Sequence, residues 1–493
     1  MKKTHTILLL SALVIIVFIS VILYRAYTYF QRPYIQAFSL IPDETPLFIK
    51  GREMENLLVF NQENPCFSPS LFLENQQNKL NYLFNNILLQ EKYRKMLKNA
   101  SPYLFFQGDA EEQWGIIFET FPKYNAHIVT FMDSLLINFK HKSFIYKNNN
   151  IYVLSLENEL LYLNHQNGAL LMTFSENIMR QAINKFTQPE NTSLSAISTI
   201  PMQRNENAKI LVFVQYKYFI PYVKNKIRKM GSGDIALLDM LSSCQWSVFE
   251  AVAKKKNIIL SGYTSIDTTN NLSKLLIHKN NNLDFTKILP CNANRIFSIK
   301  ASKSNDWKNI KYKVQPNEDF FTLMYPTQIL GFEAKNDTNL FHYLAIKSEN
   351  TSEASFHLYN SLRSSFADNN YILDTFYIGS LFVGSIDLSN FVLTKLGITS
   401  HLTQLNYYTL IGDYFVFTDK KNSILFIINQ LRENKTWENS SEYKKSQQYF
   451  TQKSNLFYYT NYLNNNRKCN YNSVRMQLYA TSDTLLLMDV LLE

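Results

Sequence analysis

Apolar positions dominate the start of the chain. Residues 7–23 contain no charged side chain and are nearly all Ile, Leu, Val or Phe, and no later stretch has membrane-spanning length. As a helix this run would extend about 26 Å at roughly 1.5 Å per residue, slightly less than the roughly 30 Å hydrocarbon core of a bilayer. Tyr24, Tyr27 and Tyr29 follow, as in an interfacial aromatic belt. The pattern predicts a transmembrane helix in an N-terminal anchor, residues 1–30.

The end of the apolar run indicates that the anchor is not cleaved. A signal peptidase requires small residues at the cleavage site, whereas residues 24–27 read Tyr-Arg-Ala-Tyr. Lys2 and Lys3 precede the run and Arg25 and Arg32 follow it, so the flanking charges give only a slight orientation bias. Because a lone N-terminal apolar segment usually serves export, we predict a single-pass signal anchor with the bulk of the chain extracytoplasmic.

Beyond the anchor, one pattern of apolar and polar positions occurs twice. Residues 160–173 read LLYLNHQNGALLMT and residues 405–418 read LNYYTLIGDYFVFT, at an offset of 405 − 160 = 245. Both alternate like strands on either side of a short turn, Asn167-Gly168 or Gly412-Asp413, whose residues tolerate the positive φ angles of tight hairpins. Each second strand leads into an amphipathic helix, and Ser175 is a plausible N-cap of the first.

Weaker matches keep the same order along the chain. The Leu-Ile-Pro of residues 40–42 matches the Ile-Leu-Pro of residues 288–290, and Ala253 matches Ala480, with offsets of 290 − 42 = 248 and 480 − 253 = 227. The shorter second half lacks a helical stretch at residues 219–243. We therefore predict an α+β fold with a transmembrane helix followed by two tandem copies of one unit, residues 31–284 and 285–493, joined near Asn280–Asn282.

Each predicted copy is an antiparallel sheet with helices against one face. Alternating strands bury one side, and the amphipathic helices cover that side. The motif GDYFVFTDKKNSILFIINQL, residues 412–431, and the order of anchor, linker, Leu-Pro opening and hairpin-to-helix unit resemble an uncharacterised family of bacterial membrane-anchored envelope proteins with a domain of unknown function. The first copy departs from the motif at Asn167-Gly168. The resemblance implies a bacterial inner-membrane location with the bulk of the chain periplasmic, and it carries over no site residue.

Composition and charge do not indicate nucleic-acid binding. The chain has 493 residues, 46% hydrophobic and 18% charged, with a formal net charge of +10. Its positive charges are dispersed, and the densest groups are Lys254–Lys256 and the set Lys224, Lys226, Arg228 and Lys229. Such short runs are typical of a solvated turn and a solvated helix face, although weak attraction to an anionic membrane is an alternative.

No residue constellation points to an active site. Cys66, Cys244, Cys291 and Cys469 form no CxxC, and the eight histidines form neither HxH nor HExxH, so no metal site is predicted. Ser441-Glu442-Tyr443-Lys444 matches SxxK but lacks the accompanying KTG and SDN motifs. The acidic pairs Glu111-Glu112 and Glu318-Asp319 are adjacent only in sequence. We predict no catalytic, cofactor-binding or metal-binding residue.

The sequence favours a binding role over catalysis. We predict a non-enzymatic, membrane-anchored envelope protein that contacts the membrane through residues 7–23 and binds an envelope protein or polymer, and no nucleic acid. One alternative is an envelope hydrolase whose dispersed active site lies between the repeats. Another is a carrier of an apolar ligand, which the aromatic share of 14% would suit.

Overall fold

The computed structural model of the protein describes most of the chain. The described residues are 19–22, 37–63, 77–107, 113–156, 159–188, 197, 200–201, 209–226, 232–254, 257–269, 273–277, 283–301, 324–336, 339–367, 375–385, 405–451, 453–461 and 473–493. By their mutual contacts the residues divide into two compact units. The first unit is Met1–Val59 with Leu73–Leu194, and the second is Phe60–Phe72 with Ser195–Glu493.

The described part of the first unit contains seven strands and several helices. Its strands are β1 (Leu47–Gly51), β2 (Ala100–Phe106), β3 (Trp114–Thr120), β4 (His141–Tyr146), β5 (Asn149–Leu156), β6 (Glu159–Gln166) and β7 (Ala169–Thr173). Helix α1 (Met54–Glu63) begins in this unit, and α2 (Gln77–Leu83), α3 (Glu91–Leu97), α4 (Asn125–Asn138) and α5 (Glu176–Thr187) follow. Shorter helical segments are Ala37–Ser39, Phe84–Leu88 and Pro122–Tyr124.

The strands of the first unit form one antiparallel sheet in the order β1-β2-β3-β7-β6-β5-β4. Helices cover both of its faces. Tyr162 and His165 lie three residues apart on β6 and therefore point to opposite faces. The Tyr162 hydroxyl lies 3.5 Å from Glu176 of α5, and His165 Nε2 lies 3.1 Å from Asn125 of α4.

The prediction that helices cover only one face of the sheet is wrong for this unit. Strands β3 and β7 are near-continuous apolar runs, and every residue of β7 is buried. A continuous apolar run is typical of a strand that is covered on both sides, whereas alternation indicates one exposed face. The continuous apolar runs of β3 and β7 are visible in the sequence, but the prediction was based on the alternating pattern of the outer strands.

The second unit contains thirteen described strands. They are β8 (Ile210–Gln215), β9 (Cys244–Lys254), β10 (Asn257–Ile266), β11 (Ala293–Lys300), β12 (Pro326–Asn336), β13 (Asn339–Ser348), β14 (Phe376–Ile378), β15 (Leu381–Ser385), β16 (Tyr407–Ile411), β17 (Tyr414–Thr418), β18 (Leu456–Asn461), β19 (Ser473–Ala480) and β20 (Leu485–Leu492). The helices are α6 (Tyr216–Lys226), α7 (Ser232–Leu241), α8 (Ser273–Leu276), α9 (Thr351–Ala367), α10 (Lys421–Arg432) and α11 (Ser441–Ser446), with short turns at Phe285–Lys287 and Trp437–Asn439.

These strands also form an antiparallel sheet. Their order is β8-β9-β10-β20-β19-β18-β11-β12-β13-β17-β16-β15-β14. One face of strands β11–β13, β17 and β18 packs on α10 and on the turn that contains Trp437, forming a large apolar cluster. Ile424, Ile427 and Ile428 of α10 are fully buried in it. Burial of these apolar side chains stabilises the middle of the sheet.

The two predicted hairpins and the helices after them are confirmed locally. Strands β6 and β7 pair across Asn167-Gly168, and β16 and β17 pair across Gly412-Asp413. Only the glycine of each turn has a positive φ, 88° at Gly168 and 58° at Gly412. Helices α5 and α10 follow, and the predicted N-cap Ser175 accepts a hydrogen bond from the backbone N–H of Ile178.

The predicted fold of two tandem copies of one unit is nevertheless wrong. The compact units divide near Leu194, and no tandem pair is evident in them. Strand β10, which the prediction placed in the first copy, pairs over most of its length with β20 of the second. Hairpin patterns act over a few residues, whereas packing decides which sheet a strand joins. The predicted junction Asn280–Asn282 lies outside the described residues.

The predicted transmembrane helix is not found in the described structure. Within the described ranges, none of the helices combines the length and the apolar character that a bilayer crossing requires. Of the predicted anchor, only residues 19–22 are described, as helix. Residues 7–18 and 23 lie outside the described ranges.

Candidate ligand-binding cleft

An open cleft of about 270 Å³ lies in the first unit, beside the N-terminus of α5. Aromatic, amide, hydroxyl and charged side chains surround it. Its lining residues are Lys79, Gln113, Trp114, Phe174, Ser175, Glu176 and Asn177. Because the cleft joins an apolar wall to several polar groups, it is the candidate functional site of this unit.

The pairing of β3 with β7 brings the lining residues together. Gly115 pairs with Thr173, so Trp114 at the start of β3 lies next to Phe174 just after β7. The Thr173 hydroxyl donates a 2.7 Å hydrogen bond to the Trp114 carbonyl and fixes this junction. Lys79 comes from α2, which lies far from these strands in sequence.

The start of α5 forms the polar side of the cleft. Ser175 is the N-cap, and its Oγ accepts a 3.2 Å hydrogen bond from the Ile178 N–H. The same hydroxyl donates to the side-chain carbonyl of Gln113, and the Ser175 N–H donates to Thr173 Oγ1 at 3.1 Å. This network holds the first turn of α5 rigidly against the start of β3.

Trp114 and Phe174 form the aromatic wall. Their ring centroids are 5.5 Å apart, and the rings meet edge to face at 68°. Trp114 is only 2% exposed, and its indole nitrogen has no hydrogen-bond partner in the described part of the chain. That nitrogen is shielded from solvent, so Trp114 serves as a wall and not as a donor to a ligand. Phe174 is half-buried and presents its ring to the cleft.

Opposite charges flank the wall. Lys79 Nζ lies 2.9 Å from Glu159 Oε2, and Glu176 Oε1 lies 2.6 Å from Arg180 Nη2. Burial, together with the Glu176 carboxylate, raises the pKa of Tyr162 and keeps its hydroxyl protonated beside that carboxylate. Lys79 has three N–H donors, so an ion pair with one carboxylate leaves donors for a ligand.

Asn177 lies at the mouth of the cleft. Its side chain is exposed, and its amide makes no hydrogen bond to any residue that the structure describes. An amide offers two donor hydrogens and an acceptor oxygen. Asn177 can therefore bind neighbouring hydroxyl groups of a ligand without breaking a contact within the protein.

The chemistry of the cleft suits recognition. Its hydroxyl, Ser175 Oγ, is engaged with Gln113 and with the helix backbone, and the described lining residues include no histidine. Nucleophilic catalysis requires a base within hydrogen-bond reach of the hydroxyl. Among the described residues, no group of three or more His, Cys, Asp or Glu side chains is placed to hold a metal ion.

The second unit holds a row of polar side chains across four neighbouring strands. Lys300, Gln328, Lys347 and Tyr414 occupy paired positions on β11, β12, β13 and β17. Asp284 lies beside this row, hydrogen-bonded to Lys347 and, at 2.9 Å, to the Tyr414 hydroxyl. Burial alone would raise the pKa of Asp284, but the two lysines and the hydroxyl outweigh it and lower that pKa.

A second ionic cluster lies on β11–β13 at the positions Arg295, Glu333 and His342. Arg295 Nη1 donates to both Glu333 oxygens, at 3.2 and 3.3 Å, and His342 Nδ1 lies 3.5 Å from Glu333 Oε1. Burial alone would raise the pKa of Glu333, but His342 and Arg295 lower it. The contacts of Glu333 with Arg295 on one side and His342 on the other tie the three strands together.

The SxxK match and the described cysteines contribute no residue to the cleft or to the two polar clusters of the second unit. Ser441 and Lys444 are exposed on α11, and the Ser441 hydroxyl donates to its neighbour Glu442. The described cysteines, Cys244 and Cys291, are free thiols, and burial raises the pKa of Cys244 to about 12. Burial also lowers the pKa of His165, which is typical of a core histidine.

Of the other residues singled out in the sequence, Lys224 is described. It pairs with Asp239 at 2.8 Å, as a residue on a solvated helix face would. The following residues or their side chains lie outside the described part: Lys226, Arg228, Lys229, Lys254–Lys256, Cys66, Cys469, Glu111-Glu112 and Glu318-Asp319.

Sequence reasoning missed the cleft itself. The N-cap Ser175 was predicted, but Lys79 and Gln113 come from other segments, and no local motif connects them to α5. The available signal was the polar sequence Ser175-Glu176-Asn177 shortly after a fully buried strand.

Comparisons with known proteins give little support for any assignment. No protein-family model matches the chain. No curated protein matches its sequence. Crystal forms IV, I and III of TP0453 resemble the chain with TM-scores of 0.26, 0.23 and 0.27 and identities of 8%, 7% and 7%. They cover 48%, 81% and 50% of this chain and 84%, 99% and 90% of their own. TM-scores this low do not establish a common fold.

Proposed function

We propose that the protein is a non-enzymatic binding protein whose first unit holds a hydroxylated sugar ring of an envelope polymer. The observation that carries the proposal is the cleft beside α5, whose lining combines the half-buried Phe174 with the exposed Asn177 and the ammonium of Lys79. A sugar ring offers C–H groups to an aromatic face and hydroxyls to amide and charged groups. This combination matches the lining better than an apolar ligand does.

The size of the cleft limits the ligand. Its volume of about 270 Å³ is below the roughly 300–1,000 Å³ of sites for drug-sized molecules. The cleft is also open, so a longer chain can continue into solvent from the bound ring. One ring of a polymer therefore fits better than a whole, enclosed small molecule.

The predicted bacterial envelope location would place glycan polymers near this cleft. That location stays a prediction from the sequence, as does the resemblance to envelope proteins. The support for the proposal lies in the geometry and chemistry of the lining residues.

Calorimetric titration of the full chain with a soluble trimer of N-acetylglucosamine, and with a panel of other oligosaccharides, tests the proposal. We expect at least one saccharide to bind and Phe174→Ala to weaken binding about two- to thirteenfold, since an aromatic contact contributes about 0.5–1.5 kcal/mol. Asn177→Ala should weaken binding by a similar factor, because about 0.5–1.5 kcal/mol accompanies each hydrogen bond.

Phe121→Ala is the matched control. Phe121 is 65% exposed in the same unit and does not line the cleft, so its removal should leave binding unchanged. Binding that ignores Phe174 and Asn177 would contradict the proposal. Cleavage of a saccharide by the purified chain would favour the alternative of an envelope hydrolase.

A further inference from the structure

Strand β4 forms one end of the sheet in the first unit. Within the described residues it pairs with β5 only, through a two-residue turn in which Lys147 and Asn148 have positive φ angles of 46° and 62°. Two consecutive positive φ angles are typical of a tight hairpin turn whose twist matches that of the paired strands. The hairpin therefore presents β4 as a regular edge strand.

The outward backbone groups of β4 follow from its pairing with β5. The Ser155 N–H donates to the Lys140 carbonyl at 2.9 Å, which makes these opposed residues a hydrogen-bonded pair. Because such pairs alternate along an antiparallel ladder, His141, Ser143 and Ile145 direct their N–H and C=O groups away from β5. In the described part of the chain, those groups have no backbone partner.

Packing against α5 fixes the face of β4 that carries Phe144 and Tyr146. The Arg180 guanidinium of α5 lies over the rings of Phe144 and Tyr146, at 5.6 and 4.6 Å. The Tyr146 hydroxyl donates a 2.9 Å hydrogen bond to Asn184. Since these contacts hold the strand from within, an added strand would meet an edge that is already ordered.

The edge is basic. Lys140, Lys142 and Lys147 are exposed and form no ion pair with any residue that the structure describes. Residues 139–156 contain no Asp or Glu. Lys140 and Lys142 are two residues apart and lie on one face of the sheet, while Ile145 lies on the other face and is 73% exposed.

The positive charges of β4 determine which kind of strand can pair with its edge. Antiparallel pairing of two copies of the edge would gather Lys140 and Lys142 of both copies on one face of the sheet, where their like charges repel. A strand with acidic residues at alternate positions would instead meet Lys140 and Lys142, and its intervening apolar residues would lie beside Ile145.

We propose that the β4 edge accepts an extended acidic segment of a partner protein as an additional antiparallel strand. The backbone ladder at His141, Ser143 and Ile145 supplies the register, and Lys140 and Lys142 select for acidic side chains. This mode of recognition does not involve the cleft beside α5.

The test uses the full chain and a fluorescently labelled eight-residue peptide that alternates Glu with Val. We expect saturable binding by fluorescence anisotropy, weaker at higher salt because exposed charges are screened. The double variant Lys140→Glu, Lys142→Glu should weaken binding at least about tenfold, since each replaces an attraction by a repulsion. A peptide that alternates Lys with Val should not bind.

Ser143→Pro separates strand addition from simple charge attraction. It removes an outward N–H and no bond to β5, and proline is tolerated on edge strands. We expect it to abolish binding, whereas Ser143→Thr retains the N–H and should bind as the parent chain does. Circular dichroism confirms that both variants are folded.

Four results would overturn the proposal. The first is equal binding of a peptide that has the same composition without the alternation, and the second is binding that survives Ser143→Pro. The third is no binding of the acidic peptide at low salt, and the fourth is a parent chain that is a dimer and becomes a monomer in Ser143→Pro. The third result would mean that the lysines protect the edge from pairing, as charged residues on natural edge strands often do. The last would mean that β4 pairs with a second copy.

Discussion

The β6–β7–α5 segment of the first unit and the β16–β17–α10 segment of the second share one local pattern and differ where the helix begins. In both, a hairpin with one positive-φ glycine leads through a fully buried strand into a helix of twelve residues. Helix α5 begins at a serine cap with polar neighbours that line a cleft. Helix α10 begins after Lys420, whose side chain makes no capping hydrogen bond. The Nζ atom of its first residue, Lys421, lies 4.1 Å from the centroid of the Phe376 ring.

The difference shows that the hairpin and the helix determine the scaffold but not the site. Apolar residues at equivalent places bury both helices, so the packing is similar. The residue immediately before the helix is polar and uncharged in the first segment, Ser175, but cationic in the second, Lys420. A few residues outside the apolar pattern therefore decide whether the start of the helix can serve ligand recognition.

The largest expected effect is one that both segments should share. Ile183 of α5 and Ile428 of α10 are fully buried. Truncation of either to alanine should lower the free energy of unfolding by about 2–5 kcal/mol, because it removes buried apolar volume and leaves a cavity. Chemical denaturation measures the loss, and hydrogen exchange assigns it to α5 or α10.

Ile137→Ala is the control for both truncations. Ile137 lies on α4 and is 83% exposed, so its loss should change stability by no more than about 0.5 kcal/mol. A cost below about 1 kcal/mol at only one of the two buried positions would show that the two helices are not held by similar packing.

A smaller effect should separate the two segments at their helix caps. Ser175→Ala removes the acceptor for the Ile178 N–H and should destabilise the protein by about 0.5–2 kcal/mol. Lys420 has the extended backbone of an N-cap, φ −131° and ψ 142°, without a side-chain cap. Lys420→Ser should therefore stabilise the protein, and Lys420→Ala should not.

Thermal denaturation of the three variants measures these changes. Stabilisation by Lys420→Ala equal to that by Lys420→Ser would show that removal of the lysine charge, and not the cap, is responsible. An unchanged midpoint in Ser175→Ala would show that Gln113 or water replaces the lost acceptor.

Short-range patterns could be predicted from the sequence, and long-range pairing could not. The hairpins at Gly168 and Gly412 and the cap at Ser175 depend on residues within one or two turns, and the structure confirms them. The pairing of β10 with β20 joins residues more than 200 positions apart, and no apolar periodicity specifies it. For the same reason the cleft was missed, because Lys79 and Ser175 come together only through packing.

The smallest expected effect is the acid dependence that Asp284 gives to the second segment. Tyr414, the first residue of β17, donates to Asp284, whereas the first residue of β7 is the apolar Ala169. Since the folded pKa of Asp284 lies below its ordinary value of 3.8, its ionised form stabilises the folded state. That contribution is fully present above the unfolded pKa and is lost as pH falls through the folded pKa.

Denaturation at a series of acidic pH values, with hydrogen exchange at β17 and β7, measures this contribution. We expect it to be about 1 kcal/mol or less, because Asp284 is partly exposed and solvent screens the ion pair. Asp284→Asn should flatten the dependence below about pH 4 at β17 and leave the response at β7 unchanged, while Asp483→Asn, at an exposed position between β19 and β20, should alter neither. Some slope should persist in Asp284→Asn, because Glu333 also has a lowered pKa and loses its ion pairs in the same direction. If Asp284→Asn reduced the acid response at β7 as much as at β17, the charge row would not distinguish the two segments.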